Sequence, residues 1–239
     1  MKKTVFINGG SRGIGAAMVR MFSKAGYAVA FSYFHSEKEA LALEKECGAF
    51  SVRADSSSSE DIAHAVKAVC DRFEHIDVLV NNAALSFVKL YTDVTEDEWE
   101  RMLKINLKAP EKYIRLILPG MISRKCGKII NISSMWGQVG ASCEVHYSAT
   151  KAALIGLSKA LAKELGPSGI TVNVIAPGVI RTEMNAHLSK EDMDALCEET
   201  PLMRIGTPED VAKCALFLAG DGGDFLTGQV IAPNGGYVM

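Results

Sequence analysis

Short runs of β-branched and apolar residues alternate with longer segments of helical periodicity along almost the whole chain, and no other feature restricts its fold so tightly. Val5-Phe6-Ile7, Ala28–Ser32, Phe50–Arg53, Val78–Asn81, Lys128–Ile132, Thr171–Ile175 and Gln229–Ala232 read as strands. Ile14–Lys24, Glu37–Glu46, Asp61–Phe73, Glu96–Asn106, Ala109–Ser123, Tyr147–Leu165 and Pro208–Leu218 read as the helices between them. The strands are brief and nearly all apolar, as strands buried on both faces must be. The pattern predicts an α/β fold, with a doubly wound, mostly parallel sheet covered by helices.

The 239 residues, 48% of them hydrophobic, suit one large domain with a substantial core. No repeat, linker or low-complexity tract divides them, so residues 1–239 are expected to form a single domain. The segment Gly178–Thr207 stands apart: it is polar, broken by Pro201, and carries a short helical pattern. It reads either as a lid over a pocket or as a plain surface excursion. A net charge of -2 gives no support for nucleic-acid binding through a broad basic surface. No stretch reaches the length of a membrane span. Lys2 and Lys3 precede a short apolar run that glycines soon end, which reads as a first strand rather than a secretory leader. Six scattered cysteines without a close pair point to a reducing, cytoplasmic setting. The five histidines lack the local spacing of a zinc site, and no metal is expected.

The turn Asn8-Gly9-Gly10-Ser11-Arg12-Gly13-Ile14-Gly15 joins the first strand to the first helix. Glycines there permit a tight turn and close approach of backbone to phosphate, and the N–H groups at the helix start can receive a pyrophosphate. In this strand-turn-helix setting the turn predicts a Rossmann-like dinucleotide site, with Gly9, Ser11, Arg12, Gly13, Ile14 and Gly15 as contacts. Asp55, after the third strand, can accept from an adenine edge or from nearby backbone. Asn81-Asn82-Ala83-Ala84 follows the fourth strand, where small residues let a nucleotide pass, and Asn81 and Ala83 are the expected contacts. An acid near the end of the second strand would favour NADH. This chain instead has Ser32-Tyr33-Phe34-His35-Ser36. Arg12 can pair with a 2′-phosphate and Ser36 can donate to it, so NADPH/NADP+ is the expected cofactor. The alternative leaves Arg12 as a solvated surface arginine.

Tyr147 and Lys151 stand four apart on one helix face. An unperturbed tyrosine has a pKa of about 10. A neighbouring ammonium lowers that value, so the pair reads as a proton donor and its tuner, with Lys151 also able to hold the nicotinamide ribose. Ser134, at a strand end, can hold the substrate oxygen beside Tyr147. Ser133 is its nearest competitor, because one residue of slip along a strand changes face. Asn106 can support Lys151 through water or a helix backbone group. His146 falls on another helix face, and Cys143 and Glu144 read as rim residues. Met135, Trp136, Val139 and Met184 can form an apolar pocket or pack as ordinary core.

With these residues in place, the chain resembles the short-chain dehydrogenase/reductase family over nearly its full length. The family's glycine opening appears as Asn8-Gly9 with Gly13 and Gly15, and Asn8 stands where the family has threonine. Its strand-four motif appears as Asn81-Asn82-Ala83-Ala84, where the family ends in glycine. The resemblance implies a catalytic tetrad of Asn106, Ser134, Tyr147 and Lys151, with Pro177, Gly178 and Thr182 in the late cofactor-binding region. Within the family the chain is similar to bacterial 3-oxoacyl-acyl-carrier-protein reductases. That implies NADPH, a homotetramer, and acyl-carrier protein as substrate carrier, docked on a basic patch. Lys125 matches one position of that patch, while Ser168 stands at the other. The segment from Ser133 to Tyr147 also looks like reductases of a 5-aminopentanone group on modified elongation factor P. A third option is a small ketone, sugar or steroid.

Overall fold

The computed structural model describes residues 2–185 and 188–239, with Met184 described by its backbone alone. Among the described residues seven strands form one parallel sheet: β1 (Thr4–Asn8), β2 (Ala28–Tyr33), β3 (Phe50–Arg53), β4 (Val78–Asn81), β5 (Gly127–Ile132), β6 (Ile170–Ile175) and β7 (Val230–Ile231). Their order is β3-β2-β1-β4-β5-β6-β7. The chain first steps outward from β1 to β3, then returns past β1 to begin β4. A crevice opens at the C-terminal strand ends wherever the winding reverses in this way.

The helices are α1 (Gly13–Lys24), α2 (Glu37–Cys47), α3 (Ser59–Phe73), α4 (Glu96–Leu103), α5 (Ala109–Arg124), α6 (Trp136–Val139), α7 (Val145–Leu165), α8 (Lys190–Glu199) and α9 (Pro208–Ala219). Two apolar cores lie on opposite faces of the sheet. Val5 and Ile7 of β1 join Phe22 of α1, Leu43 of α2 and Val211 of α9 in one. Phe6 joins Val69 of α3, Tyr113 of α5 and Leu165 of α7 in the other. Successive residues of one strand thus feed both cores, which is why the strand runs lack polar alternation. Burying each such large side chain contributes roughly 1.5–3 kcal/mol.

Local signals fix the helix starts. The Ser58 hydroxyl accepts from the Asp61 N–H at α3, and Thr95–Glu98 and Thr207–Asp210 form reciprocal caps at α4 and α9. Three elements depart from their sequence expectations. The segment read as a helix from Glu96 to Asn106 ends as α4 at Leu103, and a π-helical turn over Lys104–Lys108 leads into α5. Such a turn holds one residue more than an α-turn, and it is common at functional sites. Here it carries Asn106, which is fully buried. The last strand is shorter than expected, and α6 is a four-residue helix without an expected counterpart.

The excursion after β6 is clamped at its base by a parallel bridge between Ile180 and Gly206. Arg181 N–H donates to Gly206 O and Gly206 N–H to Val179 O, both at 2.9 Å. Beyond the clamp come a 3-10 turn, Glu183–Asn185, and α8, none of whose residues is buried.

Candidate active site

The seat of the site is a weld between two turns. Asn8 ends β1, and its side-chain Oδ1 accepts from the N–H groups of Asn82 and Ala83, each at 2.7 Å. Asn82 returns the contact by donating Nδ2 to Gly9 O at 2.8 Å. Gly9 has φ +70°, and a Cβ on it would stand 2.9 Å from Ala83 Cα. Only glycine satisfies both the conformation and the approach. The turn then opens α1 with Arg12 in extended conformation and no side chain capping the first N–H groups. An uncapped helix start beside a cavity is a seat for an anion.

A cavity of about 430 Å³ runs from this turn, past the end of β2 and the start of the α3 loop, to the N-terminal half of α7. Of the candidate site residues, Gly9, Ser11, Arg12, Gly13, Ile14, Ser36, Asp55, Ala83, Ser134, Tyr147, Lys151, Pro177, Gly178 and Thr182 line it. Three predicted residues stand behind its wall. Gly15 packs beneath the turn, where a Cβ would lie 2.0 Å from Gly9 O. Asn81 is turned into the sheet, donating Nδ2 to Asn131 Oδ1 at 2.8 Å, and Asn131 in turn donates to Ser158 Oγ at 2.8 Å. The cavity-lining asparagine is its neighbour Asn82, just past the end of β4. Asn106 does not line the cavity, and its direct partners are Leu85 and Thr150 rather than Lys151. Its Oδ1 accepts from Leu85 N–H at 2.8 Å, and its Nδ2 donates to Leu85 O at 2.8 Å and Thr150 Oγ1 at 3.1 Å. It fixes the loop after β4 to the helix that carries Tyr147.

Asp55 lines the cavity with a carboxylate already partly engaged, since Oδ1 accepts from Ser57 N–H and Oγ, both at 2.8 Å. Lining residues that sequence reasoning passed over include His35, Ser56, Glu183 and Asn185. His35 and Ser56 follow the C-terminal ends of β2 and β3, the one available signal, whereas Glu183 and Asn185 lie on the excursion after β6. Arg12 is neither free nor simply solvated: its guanidinium pairs with Glu183 from the far excursion.

At the other end of the cavity, Lys151 is 2% exposed and donates Nζ to Ile132 O at 2.8 Å. Its Nζ lies 5.5 Å from the centre of the Tyr147 ring. Ser134 lines the same end of the cavity as Tyr147, and its hydroxyl favours the ionised phenol; its Oγ accepts from Trp136 N–H at 3.2 Å. The Ser133 hydroxyl is committed to Lys151 O at 2.9 Å. Ser134, not Ser133, therefore has its hydroxyl hydrogen free for a partner in the cavity.

Burial governs the ionisation of both groups. It brings Lys151 down to about 7, and it pushes the Tyr147 phenol well above its usual value. The negative charge of Glu144 pushes the phenol in the same direction, against the Ser134 hydroxyl. The sequence expectation of a fixed ammonium lowering its tyrosine is thus reversed in the protein by itself, because desolvation penalises both charges. In this form Tyr147 is a neutral donor. Its tyrosinate absorbance, taken as the difference between wild type and Tyr147→Phe in the absence of nucleotide, is expected only above pH about 10. A tyrosinate signal already present at neutral pH would contradict that reading.

The flanking residues sort as follows. His146 stacks on Tyr91 at 5.1 Å with planes 4° apart, away from the tyrosine-lysine face. Glu144 accepts from Ser86 Oγ at 2.6 Å. Met135 is buried, Val139 is exposed, and Trp136 meets the Tyr237 ring edge-on at 6.0 Å. The side chain of Met184 lies outside the described residues. No described helix is long and apolar enough to cross a membrane.

The family model for enoyl-(acyl carrier protein) reductase matches residues 9–238. A Serratia marcescens short-chain dehydrogenase/reductase, solved as a double mutant, superposes with a TM-score of 0.91 at 32% identity, over 98% of this chain and 97% of that one. The chain belongs to the short-chain dehydrogenase/reductase family. It is therefore an oxidoreductase. Among its relatives, the 3-oxoacyl-acyl-carrier-protein reductase FabG of Staphylococcus epidermidis is 37% identical over 244 residues, covering 100% of both chains. The acetoacetyl-CoA reductase of Rhizobium meliloti is 38% identical over 237 residues, 99% of this chain and 98% of that one. A metagenomic blue fluorescent protein in complex with NADPH superposes with a TM-score of 0.93 at 36% identity, over 99% of this chain and 98% of that one.

Proposed function

We propose that this protein reduces 3-oxoacyl thioesters on acyl-carrier protein with NADPH. One observation carries the reading: a single cavity joins an uncapped glycine turn to the Ser134-Tyr147-Lys151 cluster. The turn fits a dinucleotide because side chains at Gly9 and Gly15 would collide with backbone, leaving main-chain N–H groups to meet phosphate. The cavity wall at the end of β2, Tyr33 to Ser36, holds no acid, and Arg12 stands by it for a 2′-phosphate. Related proteins solved with NADPH and, in the case of ElxO, with NADP agree with that choice.

NADPH supplies the hydride for the carbonyl carbon. Tyr147 Oη gives its proton to the carbonyl oxygen, which Ser134 Oγ holds in place. Lys151, close to its titration point at neutral pH, returns a proton to the phenol. Asn106 keeps the loop at Leu85 in register with α7 during the exchange. The matched family model is described by enoyl reduction, whereas the curated relatives act on 3-oxo groups, and a phenol poised to protonate oxygen suits the latter.

A second reading, reduction of the 5-aminopentanone group on modified elongation factor P, is favoured by Glu144. Its carboxylate is anchored by Ser86 and acts on Tyr147, so it would draw an ammonium toward the reacting end. The carrier-docking patch also has only Lys125, with Ser168 at the second position. NADPH oxidation should be measured with a 3-oxoacyl thioester on its carrier, with modified elongation factor P, and with small ketones. A kcat/KM about tenfold or more higher for the thioester is expected. A preference for the modified protein overturns the first reading in favour of the second. We further place the enzyme in the cytoplasm as a homotetramer. The small residues Ala152, Ala153 and Gly156 on the exposed face of α7 would let a second helix approach, and solution mass tests the assembly.

A further inference from the structure

We propose that Glu183 is a built-in competitor of the cofactor's 2′-phosphate for Arg12, and so sets how strongly the site selects a phosphorylated nucleotide. The inference rests on the reading of Arg12 given above.

Arg12 sits at the N-cap of α1, on the cavity wall, and Glu183 reaches it from a point 171 residues further along the chain. The excursion holds Glu183 there by two independent supports. Its base is clamped by the Ile180–Gly206 bridge, and Asn185 Nδ2 donates to Ile180 O at 2.8 Å. The stretch just past the clamp lies against the glycine turn, where a Cβ on Gly13 would be 3.4 Å from the Thr182 methyl. Glu183 itself lines the same cavity. A carboxylate paired with this guanidinium occupies the partner position a phosphate would take on it.

A 2′-phosphate carries more charge than a carboxylate and matches the guanidinium fork better, so it wins the exchange. It must still replace an existing ion pair. A nucleotide without that phosphate makes no demand on Arg12 and leaves the pair intact. Glu183 therefore weakens the binding of phosphorylated nucleotides in particular. The pair is exposed, so the effect is modest, in the range measured for surface ion pairs.

Calorimetric binding of adenosine 2′,5′-bisphosphate and of adenosine 5′-monophosphate tests this without turnover. Glu183→Gln is expected to tighten the bisphosphate about three- to fivefold and to leave the monophosphate unchanged. In an Arg12→Gln background the same change should shift neither ligand. Equal tightening of both ligands would reduce Glu183 to a general repulsive charge and overturn the proposal. So would no tightening, or a gain that persists without Arg12. The underlying reading has its own control: Arg12→Gln alone must weaken the bisphosphate. If that variant binds it normally, the assignment of Arg12 fails. If it binds weakly while Glu183→Gln changes nothing, only the competitor role fails.

Discussion

Tyr147→Phe is expected to lower turnover by roughly 10²- to 10⁴-fold, the usual contribution of a positioned general acid. The substitution keeps the ring and removes one hydroxyl. Tyr147 is 8% exposed, and its ring packs beside Lys151, so the apolar contacts survive. The seat of the dinucleotide phosphates lies at the other end of the cavity, on Gly9 to Ile14, so NADPH affinity should stay close to that of the wild type. Steady-state rates with a 3-oxoacyl thioester, paired with a direct titration of NADPH binding, separate the two effects. Turnover retained in this variant would remove Tyr147 from the proton transfer. A parallel loss of nucleotide affinity would instead point to damaged packing around Lys151 and Ser134.

How far a sequence exposes such a site depends on whether the signal is local. Tyr147 and Lys151 could be read because a helix returns every fourth residue to one face. The strands could be read because burial on both sides leaves them apolar, and the cofactor turn because strand, glycines and helix follow one another directly. Asn106 was assigned to a helix end, since ordinary periodicity does not announce a π-turn. At strand ends a period of two leaves neighbours hard to tell apart: the Asn81 side chain turns into the sheet while Asn82 lines the cavity, and the Ser133 hydroxyl turns to Lys151 O while Ser134 leaves its own free. For the tyrosine-lysine pair in the protein by itself, charge proximity shows in the sequence and desolvation does not. The Arg12–Glu183 pair joins elements that meet only in the folded chain, and no spacing rule anticipates it.

The glycine turn permits an equally sharp test at the opposite end of the cavity. Gly15→Ala adds one methyl at a position with no room for it: the new Cβ would stand 2.0 Å from Gly9 O and 2.9 Å from Gly10 Cα. Both neighbours are backbone, so no side chain can rotate away, and the turn itself must move. Overpacked sites commonly cost about 1–3 kcal/mol, and displacement of a turn welded to Asn82 and Ala83 through Asn8 belongs at the upper end. Because the N–H groups of this turn would receive the cofactor's phosphates, the strain is expected to appear mainly as lost affinity. A rise of about 100-fold in the NADPH dissociation constant corresponds to about 2.7 kcal/mol. Circular dichroism establishes that the sheet and helices persist, and calorimetry reads the binding. Tyr147 and Lys151, on a separate helix, should retain their tyrosinate titration. An alanine variant that stays folded and binds NADPH as the wild type does would move the phosphate seat away from this turn.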